Sequence, residues 1–316
     1  MRRQASPPIA EVVLGAKAKD GGTRRSIITI GGGGSNPWKK KNPPVIAYDV
    51  FDSPPPLPSS VRSYYKEVMN DAVAWAQFVE RKFKAKVITL HLVGASPMGE
   101  NKSVRELCSL VEDILQAVKV PLIIGGCGDP QKDQELLPAV AEVASGERCL
   151  FSALTPEMEV ERIANSMLSH NHCLLTLVSM NVDEMRYLNR RVLKAGLPPS
   201  QLAMDLFTAG IGYGVEYTIA TFRKARVAGV SGIKELAVPI VAAPSNAWSC
   251  REAWKSNPDW GPKELRGPLW EQCTAALSIA AGADLLMMLH PMAISKTTTL
   301  IKTIYGKNLC PFNGFN

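Results

Sequence analysis

The stretch MDLFTAGIGYGVEY, residues 204–217, holds most of one strand–loop–helix unit. An apolar run over residues 202–206 carries a single acid, Asp205, near its end. Glycines follow at 210, 212 and 214, and a helical pattern with an early glutamate, Glu216, comes next. A strand, a polar residue at its carboxyl end, a glycine loop and a helix make one βα unit. Repetition of such units builds a parallel sheet with helices on its face.

The same unit recurs in both directions from this stretch. Upstream, apolar runs cover residues 45–50, 86–92, 120–126, 149–154 and 172–179. Helical patterns lie between them, the first predicted over 68–84. Ser103 with Glu106 forms a capping box for the helix that runs to 118. Asp129-Pro130 opens the next helix, since Pro suits a first turn. Thr155-Pro156-Glu157 opens a helix to 170, and Asn181 one that Gly196 closes. Downstream come a strand over 235–243, a long loop with Trp248, Trp254 and Trp260, a helix over 264–281, a strand over 283–289 and a helix over 292–305.

The strands are continuous apolar runs, as expected where both faces of a parallel sheet are covered. Eight units after residue 44 fit a (β/α)8 TIM barrel, which takes about 250 residues. An open doubly wound sheet is the alternative, but no G-x-G-x-x-G follows the first strand. Ahead of the barrel, β-rich runs at 11–14 and 26–30 flank Asp20-Gly21-Gly22, a turn sequence, and predict a hairpin able to plug the barrel's bottom. The predicted layout is a disordered segment over 1–10, hairpin and linker over 11–43, barrel over 44–305 and a tail over 306–316.

Composition narrows the function. The chain has 316 residues, 46% of them hydrophobic, enough for a full core. No apolar run reaches the roughly 18–20 residues that span a bilayer, and the first residues lack a secretory pattern, so a cytoplasmic location is expected. The net charge is +7 and the pI about 9.0. The basic residues are spread out, and no basic stripe interleaved with aromatics argues for nucleic acid. The densest cluster, Lys39 to Lys41 beside Trp38, reads as a solvated loop or as a patch for an acidic partner. Seven cysteines show no C-x-x-C spacing, which argues against an iron–sulfur or zinc site on this chain. Cys127, after Gly125-Gly126, either packs or lines a site.

Barrel sites lie at the carboxyl ends of the strands. Those ends carry Asp49 and Asp52, His91, Cys127 and Asp129, Ser152, Ser179 and Asn181, Asp205, Ser245 and Asn246, and His290. Asp49 and Asp205 either accept hydrogen bonds from loop amides or orient a polar ligand. His91 and His290 are candidate proton carriers or metal ligands but lack an H-x-x-H pair. The glycines at 210, 212 and 214 either cradle a phosphate at a helix N-terminus or let a flat ligand or partner backbone come close. The residues give a polar, glycine-rich, aromatic-rimmed mouth without a catalytic constellation.

Several stretches resemble one family, the small subunit of the corrinoid iron–sulfur protein, also called the delta subunit of the acetyl-CoA decarbonylase/synthase complex. They are EVVLGAKAKDGGTRRSIITIGG (11–32), GGCGDPQKDQELLPAVAEVASGE (125–147), GIGYGVEYT (210–218), AW (247–248), WGPKELRGPLWE (260–271) and AGADLLMMLHP (281–291). The resemblance spans residues 11 to about 304. It implies a TIM barrel similar to those of folate-dependent methyltransferases. It also implies a heterodimer with a large subunit that carries the [4Fe–4S] cluster and most of the cobalamin contacts. In that role the barrel mouth caps the methyl-bearing face of the corrinoid. The methyl group comes from methyltetrahydrofolate through a methyltransferase and goes on to acetyl-CoA synthase, in the reductive acetyl-CoA pathway. Cofactor contacts are then expected at Asp49, His91, Cys127, Asp205, Thr208, Gly210, Gly212, Ser245 and Asn246, with no catalytic or metal-ligating residue on this chain. The mouth departs from the family's pattern at His91, Val93, Leu206 and Leu289. The alternative is a stand-alone pterin-dependent methyltransferase using Asp49, Asp205 and Asn246.

Overall fold

The computed structural model describes residues 9–34, 36 and 38–306. Strands β1 (Glu11–Leu14) and β2 (Ile28–Gly31) pair antiparallel. Eight parallel strands follow: β3 (Val45–Phe51), β4 (Ile88–His91), β5 (Leu122–Gly125), β6 (Leu150–Leu154), β7 (Cys173–Leu177), β8 (Leu202–Asp205), β9 (Val241–Ala242) and β10 (Leu285–Met288). Their order is β8-β7-β6-β5-β4-β3-β10-β9, and a parallel bridge from Met204 to Ile240 joins the two ends. The result is the expected eight-stranded barrel. Helices between the strands are α1 (Ser59–Tyr65), α2 (Ala72–Lys82), α3 (Val104–Ala117), α4 (Pro130–Val143), α5 (Val160–Ser169), α6 (Val182–Lys194), α7 (Val215–Val230), α8 (Arg251–Trp254) and α9 (Lys263–Ala281), with α10 (Pro291–Tyr305) last.

Alternation along the strands divides the core in two. Tyr48, Val50, Ile88, Leu90, Ile124, Phe151 and Met204 face the helices. Ala47, Val87, Ile123, Leu150, Cys173, Ala203, Val241 and Leu285 face inward, and there they pack with Val12, Leu14 and Ile30 of the hairpin. The hairpin therefore plugs the amino-terminal end of the barrel. Arg24 fixes it: its guanidinium donates to the carbonyls of Leu115 (2.6 Å) and Val118 (2.7 Å) and to Glu147 (2.8 Å).

Five expectations need correction. The helix expected to open at Thr155-Pro156-Glu157 begins instead at Val160, after a turn. Asp20-Gly21-Gly22 does not form a tight hairpin turn. The connection runs over residues 15–27, and Gly21, at φ 87°, closes a short 3-10 turn. The helix expected over 68–84 forms as α2, over Ala72–Lys82, but a helix that was not expected, α1, precedes it; Asp71 caps α2 by accepting from the Ala74 amide at 3.0 Å. The strand expected over 235–243 contracts to two residues, because Pro239 has no N–H for the ladder and residues 234–236 turn as a 3-10 helix. Lys40 is not solvated: its ammonium donates to Asp284 (2.5 Å) and to the Gly282 carbonyl (2.7 Å). Arg226 pairs with the same carboxylate, so the linker is clamped to the barrel by a buried triad. Of the segment expected to be disordered, residues 1–8 lie outside the described residues. Ile9 is buried, and Ala10 donates to the Ala237 carbonyl at 2.8 Å. The tail beyond Gly306 also lies outside them.

Candidate functional site at the barrel mouth

The inward-facing set changes from apolar to polar toward the carboxyl ends of the strands. Asp49 follows Ala47 on the inner face of β3, and in the ladder it sits opposite Thr89 of β4. His91 lies two residues further along the same face. Its Nε2 is 3.2 Å from Asp49 Oδ1, but the contact is not aligned as a hydrogen bond. Both Asp49 oxygens, His91 Nε2 and Thr89 Oγ1 consequently lack a hydrogen-bond partner among the described residues. The His91 ring stacks on Phe51 at 4.9 Å. Beside it lies a cavity of about 190 Å³, lined by His91, Gly125, Gly126, Ser152, Thr155, Met158 and Leu177 among others.

Cys127 lies between two residues of that lining. Its amide and that of Gly128 donate to the Asp133 carboxylate, each at 2.8 Å, which shapes the loop after β5. Burial raises the Cys127 thiol to about 11, so it stays protonated at neutral pH. Asp129 and Asn181 cap α4 and α6, and Asp52 accepts from the Gly94 amide (2.9 Å) and Lys102 (3.1 Å).

The residues after β8 serve a different purpose. Asp205 is buried and accepts the Phe207 amide at 2.8 Å. Burial raises its carboxyl to about 7, against the pull of that amide. Phe207 itself has φ 68°, an uncommon state for a bulky side chain, and stands exposed on the rim. Thr208 Oγ1 accepts the Ala243 amide, and its carbonyl accepts Asn246 Nδ2, both at 2.9 Å. These bonds tie the loop after β8 to the loop after β9. Gly210 permits the same approach, since a Cβ there would stand 2.5 Å from Cys250 Sγ. Gly212 takes φ 78°. Ser245 is half-buried, without a side-chain hydrogen bond among the described residues.

Glu271, on α9, was not singled out as a site residue. Its Oε1 accepts the Leu289 amide at 2.5 Å, and its Oε2 accepts the His290 amide (3.0 Å) and Trp248 Nε1 (2.9 Å). Burial raises its carboxyl to about 7, opposed by those donors, and the nearby Asp49 adds to the rise. His290 caps α10 through Nδ1 and stacks on Trp248 at 5.5 Å; burial lowers it to about 4. The structure thus brings Asp49, Thr89 and His91 together, and sets Asp205, Thr208, Gly210 and Asn246 in a separate loop joint. Thr89 was legible in principle, because it shares the parity of Asp49 and His91. Glu271 gives no such signal, because only the fold brings α9 to the end of β10.

Exposed apolar side chains stand beyond the mouth. Phe207, Tyr213 and Tyr217 belong to the loop after β8 and the start of α7. Trp260, Leu265 and Leu269, with Trp270, line a groove of about 450 Å³ beside α9. Among the described residues, no group of three or more His, Cys, Asp or Glu is placed to hold a metal ion, and no helix is long and apolar enough to cross a membrane.

Comparison with known proteins bears on this arrangement. Dihydropteroate synthase from Xanthomonas albilineans superposes with a TM-score of 0.56 over 85% of this chain and 95% of that one, at 14% identity. The Thermus thermophilus enzyme gives 0.52 at 14% identity, over 84% and 95%. At such identities the likeness concerns the barrel alone. The acetyl-CoA decarbonylase/synthase complex subunit delta of Archaeoglobus fulgidus is 40% identical over 311 residues, 95% of this chain and 69% of that protein. That of Methanopyrus kandleri is 42% identical over 290 residues, 90% and 72%. The family profile described as CO dehydrogenase/acetyl-CoA synthase delta subunit matches residues 11–312. With that match running from the plugging hairpin past the last barrel helix, the chain belongs to the CO dehydrogenase/acetyl-CoA synthase delta subunit family.

Proposed function

We propose that this chain is the small subunit of a corrinoid iron–sulfur methyl carrier, and that its barrel mouth covers a cobalamin held mainly by a larger partner. The observation that carries this reading is one of scale. The mouth cavity, about 190 Å³, is close to the size that takes a single benzene ring, about 150 Å³, and a corrin macrocycle cannot enter it. The rim above it presents exposed Phe207, Tyr213 and Tyr217, which suit a flat face lying across the mouth. The residues therefore fit a cofactor shared with another subunit rather than one swallowed by this barrel. When bound, the corrinoid supplies the cobalt that takes up and releases the methyl group. The residues of this chain exclude water from that face and orient it. Asp205 holds Phe207 in its turn, while Thr208, Gly210 and Asn246 keep the adjoining loops packed.

The partners in this reading are a large corrinoid and [4Fe–4S] subunit, a methyltetrahydrofolate methyltransferase and acetyl-CoA synthase. The pterin-methyltransferase alternative needs Asp49, Asp205 and Asn246 to face one ligand. Asp205 and Asn246 instead bond to the chain's own loops. The test is anaerobic co-expression with the large subunit, followed by size exclusion with protein and corrin absorbance recorded together. A co-eluting complex with a corrin spectrum is expected. A chain that elutes alone, without corrin, and binds methyltetrahydrofolate overturns the reading.

A further inference from the structure

The Asp49–Thr89–His91 group is not explained by capping a macrocycle. Asp49 is 1% exposed and Thr89 fully buried, yet neither side chain has a hydrogen-bond partner among the described residues. Burying a carboxylate without donors is unfavourable, and such a group calls for a reason. The reason lies in the direction His91 faces. Its Nε2 meets Asp49 at 3.2 Å. Its Nδ1 lies toward Gly125, where an added Cβ would stand 3.3 Å from it, and both residues line the mouth cavity. Glycine at 125 thus leaves open the space in front of Nδ1.

A carboxylate beside one ring nitrogen favours the proton on that nitrogen and leaves the other as an acceptor. The rest of the lining is mostly apolar, from Met158, Leu177, Ala153 and Pro130, with the Ser152 and Thr155 hydroxyls nearby and the Asp133 carboxylate, whose oxygens already accept the Cys127 and Gly128 amides. Thr155 Oγ1 is likewise buried without a partner. Apolar walls with a few convergent polar groups are the usual composition of a small-molecule site.

We propose that the mouth cavity binds a small, neutral, planar molecule bearing an N–H group, an azole or an amide. The N–H donates to His91 Nδ1 while Asp49 holds Nε2. Such donation makes the ring more positive and draws Nε2–H onto the carboxylate. The 3.2 Å contact, misaligned in the free chain, tightens as polar contacts do when a ligand arrives. Asp49 and His91 act here by binding; no bond to the ligand is made or broken. The inference is independent of the corrinoid reading, because it concerns the inside of the barrel and is read on this chain alone.

The test labels the histidines of the full chain with ¹⁵N; there are only four. Their ring nitrogens are followed by NMR during titration with pyrazole, and separately with 1-methylpyrazole, which has no N–H. His91→Phe assigns the resonance. His91 is expected as the Nε2–H tautomer, with a saturable shift of Nδ1 on adding pyrazole. Binding of 1-methylpyrazole is expected to be at least about tenfold weaker. Asp49→Asn is expected to shift the tautomer balance and weaken pyrazole binding at least about fivefold. An Nδ1–H tautomer in the unmodified chain, equal binding of the two azoles, or no saturable shift would overturn the proposal. The measurements on the unmodified chain decide the matter even if Asp49→Asn does not fold.

Discussion

Asp205 shows how one side chain at a strand end can serve a loop rather than a ligand. Its carboxyl titrates near 7 in the fold and near 3.9 in an unfolded chain, so between those values the folded state holds the extra proton. Its contribution is full below about pH 4 and is lost as pH rises through about 7. Asparagine keeps the acceptor for the Phe207 amide and does not titrate. The unfolding free energy of the parent chain, relative to Asp205→Asn, should therefore fall by up to about 4 kcal/mol between about pH 4 and about pH 8. Denaturant titration at several pH values measures this, and a constant difference would refute it. Phe207 carries the complementary prediction. Glycine accepts φ 68° freely, so Phe207→Gly should cost less than about 1 kcal/mol, or even stabilise, while lowering corrin retention in the co-purified complex. Equal retention at equal stability would separate Phe207 from cofactor contact. Asp205 was legible in the sequence as a buried acid at a strand end, with loop amides as one of its two readings. The positive φ at Phe207 was not, because a bulky residue there breaks the local preference that sequence reading depends on.

At the level of elements, the strands were legible because each is a nearly unbroken apolar run between turn residues. The capping box was too: Ser103 accepts the Glu106 amide at 3.2 Å, and the Glu106 carboxylate reaches back to the Ser103 amide at 2.8 Å. Replacing Ser103 by alanine should cost about 1 kcal/mol by thermal or urea unfolding, and no measurable loss would contradict the capping role. The unexpected helix α1 and the long hairpin connection depend on distant partners, whereas β9 contracts for a local reason, Pro239 and the turn before it. Tyr65, the last residue of α1, donates its hydroxyl to the Leu289 carbonyl at 2.7 Å, 224 residues further along the chain. The hairpin plug was expected from order alone, and its energetic weight follows from burial. Leu14 is fully buried among inward-facing strand residues, so Leu14→Ala should destabilise by about 2–5 kcal/mol in urea, against well under about 1 kcal/mol for an exposed residue.

For the whole molecule, the exposed apolar side chains are unevenly placed. Leu265 is 63% exposed and Leu269 49%, on the same stretch of α9 and beside Trp260. Exposed apolar groups gathered in this way mark an interaction face more often than scattered ones do. In the proposed complex, Leu265→Asp with Leu269→Asp should weaken association with the large subunit at least about tenfold, with the melting temperature of the isolated chain nearly unchanged. Co-elution at the parent level would place the partner elsewhere. Such a face is only partly readable in a sequence: leucines three or four apart on a helix look the same whether they meet a barrel or a partner.

The plug at the foot of the barrel also bears on the order of events as the chain leaves the ribosome. Residues 11–31 emerge before every strand of the barrel, yet Val12, Leu14 and Ile30 find their neighbours on strands as late as β10, over 285–288. The hairpin is then made before the barrel strands and seated after them, and its apolar side chains must wait, exposed, until β10 has been made. Contacts so far apart in sequence slow folding. Gly31 to Gly34, after the hairpin, give that waiting segment the backbone freedom to close the barrel from below once the final strand has joined.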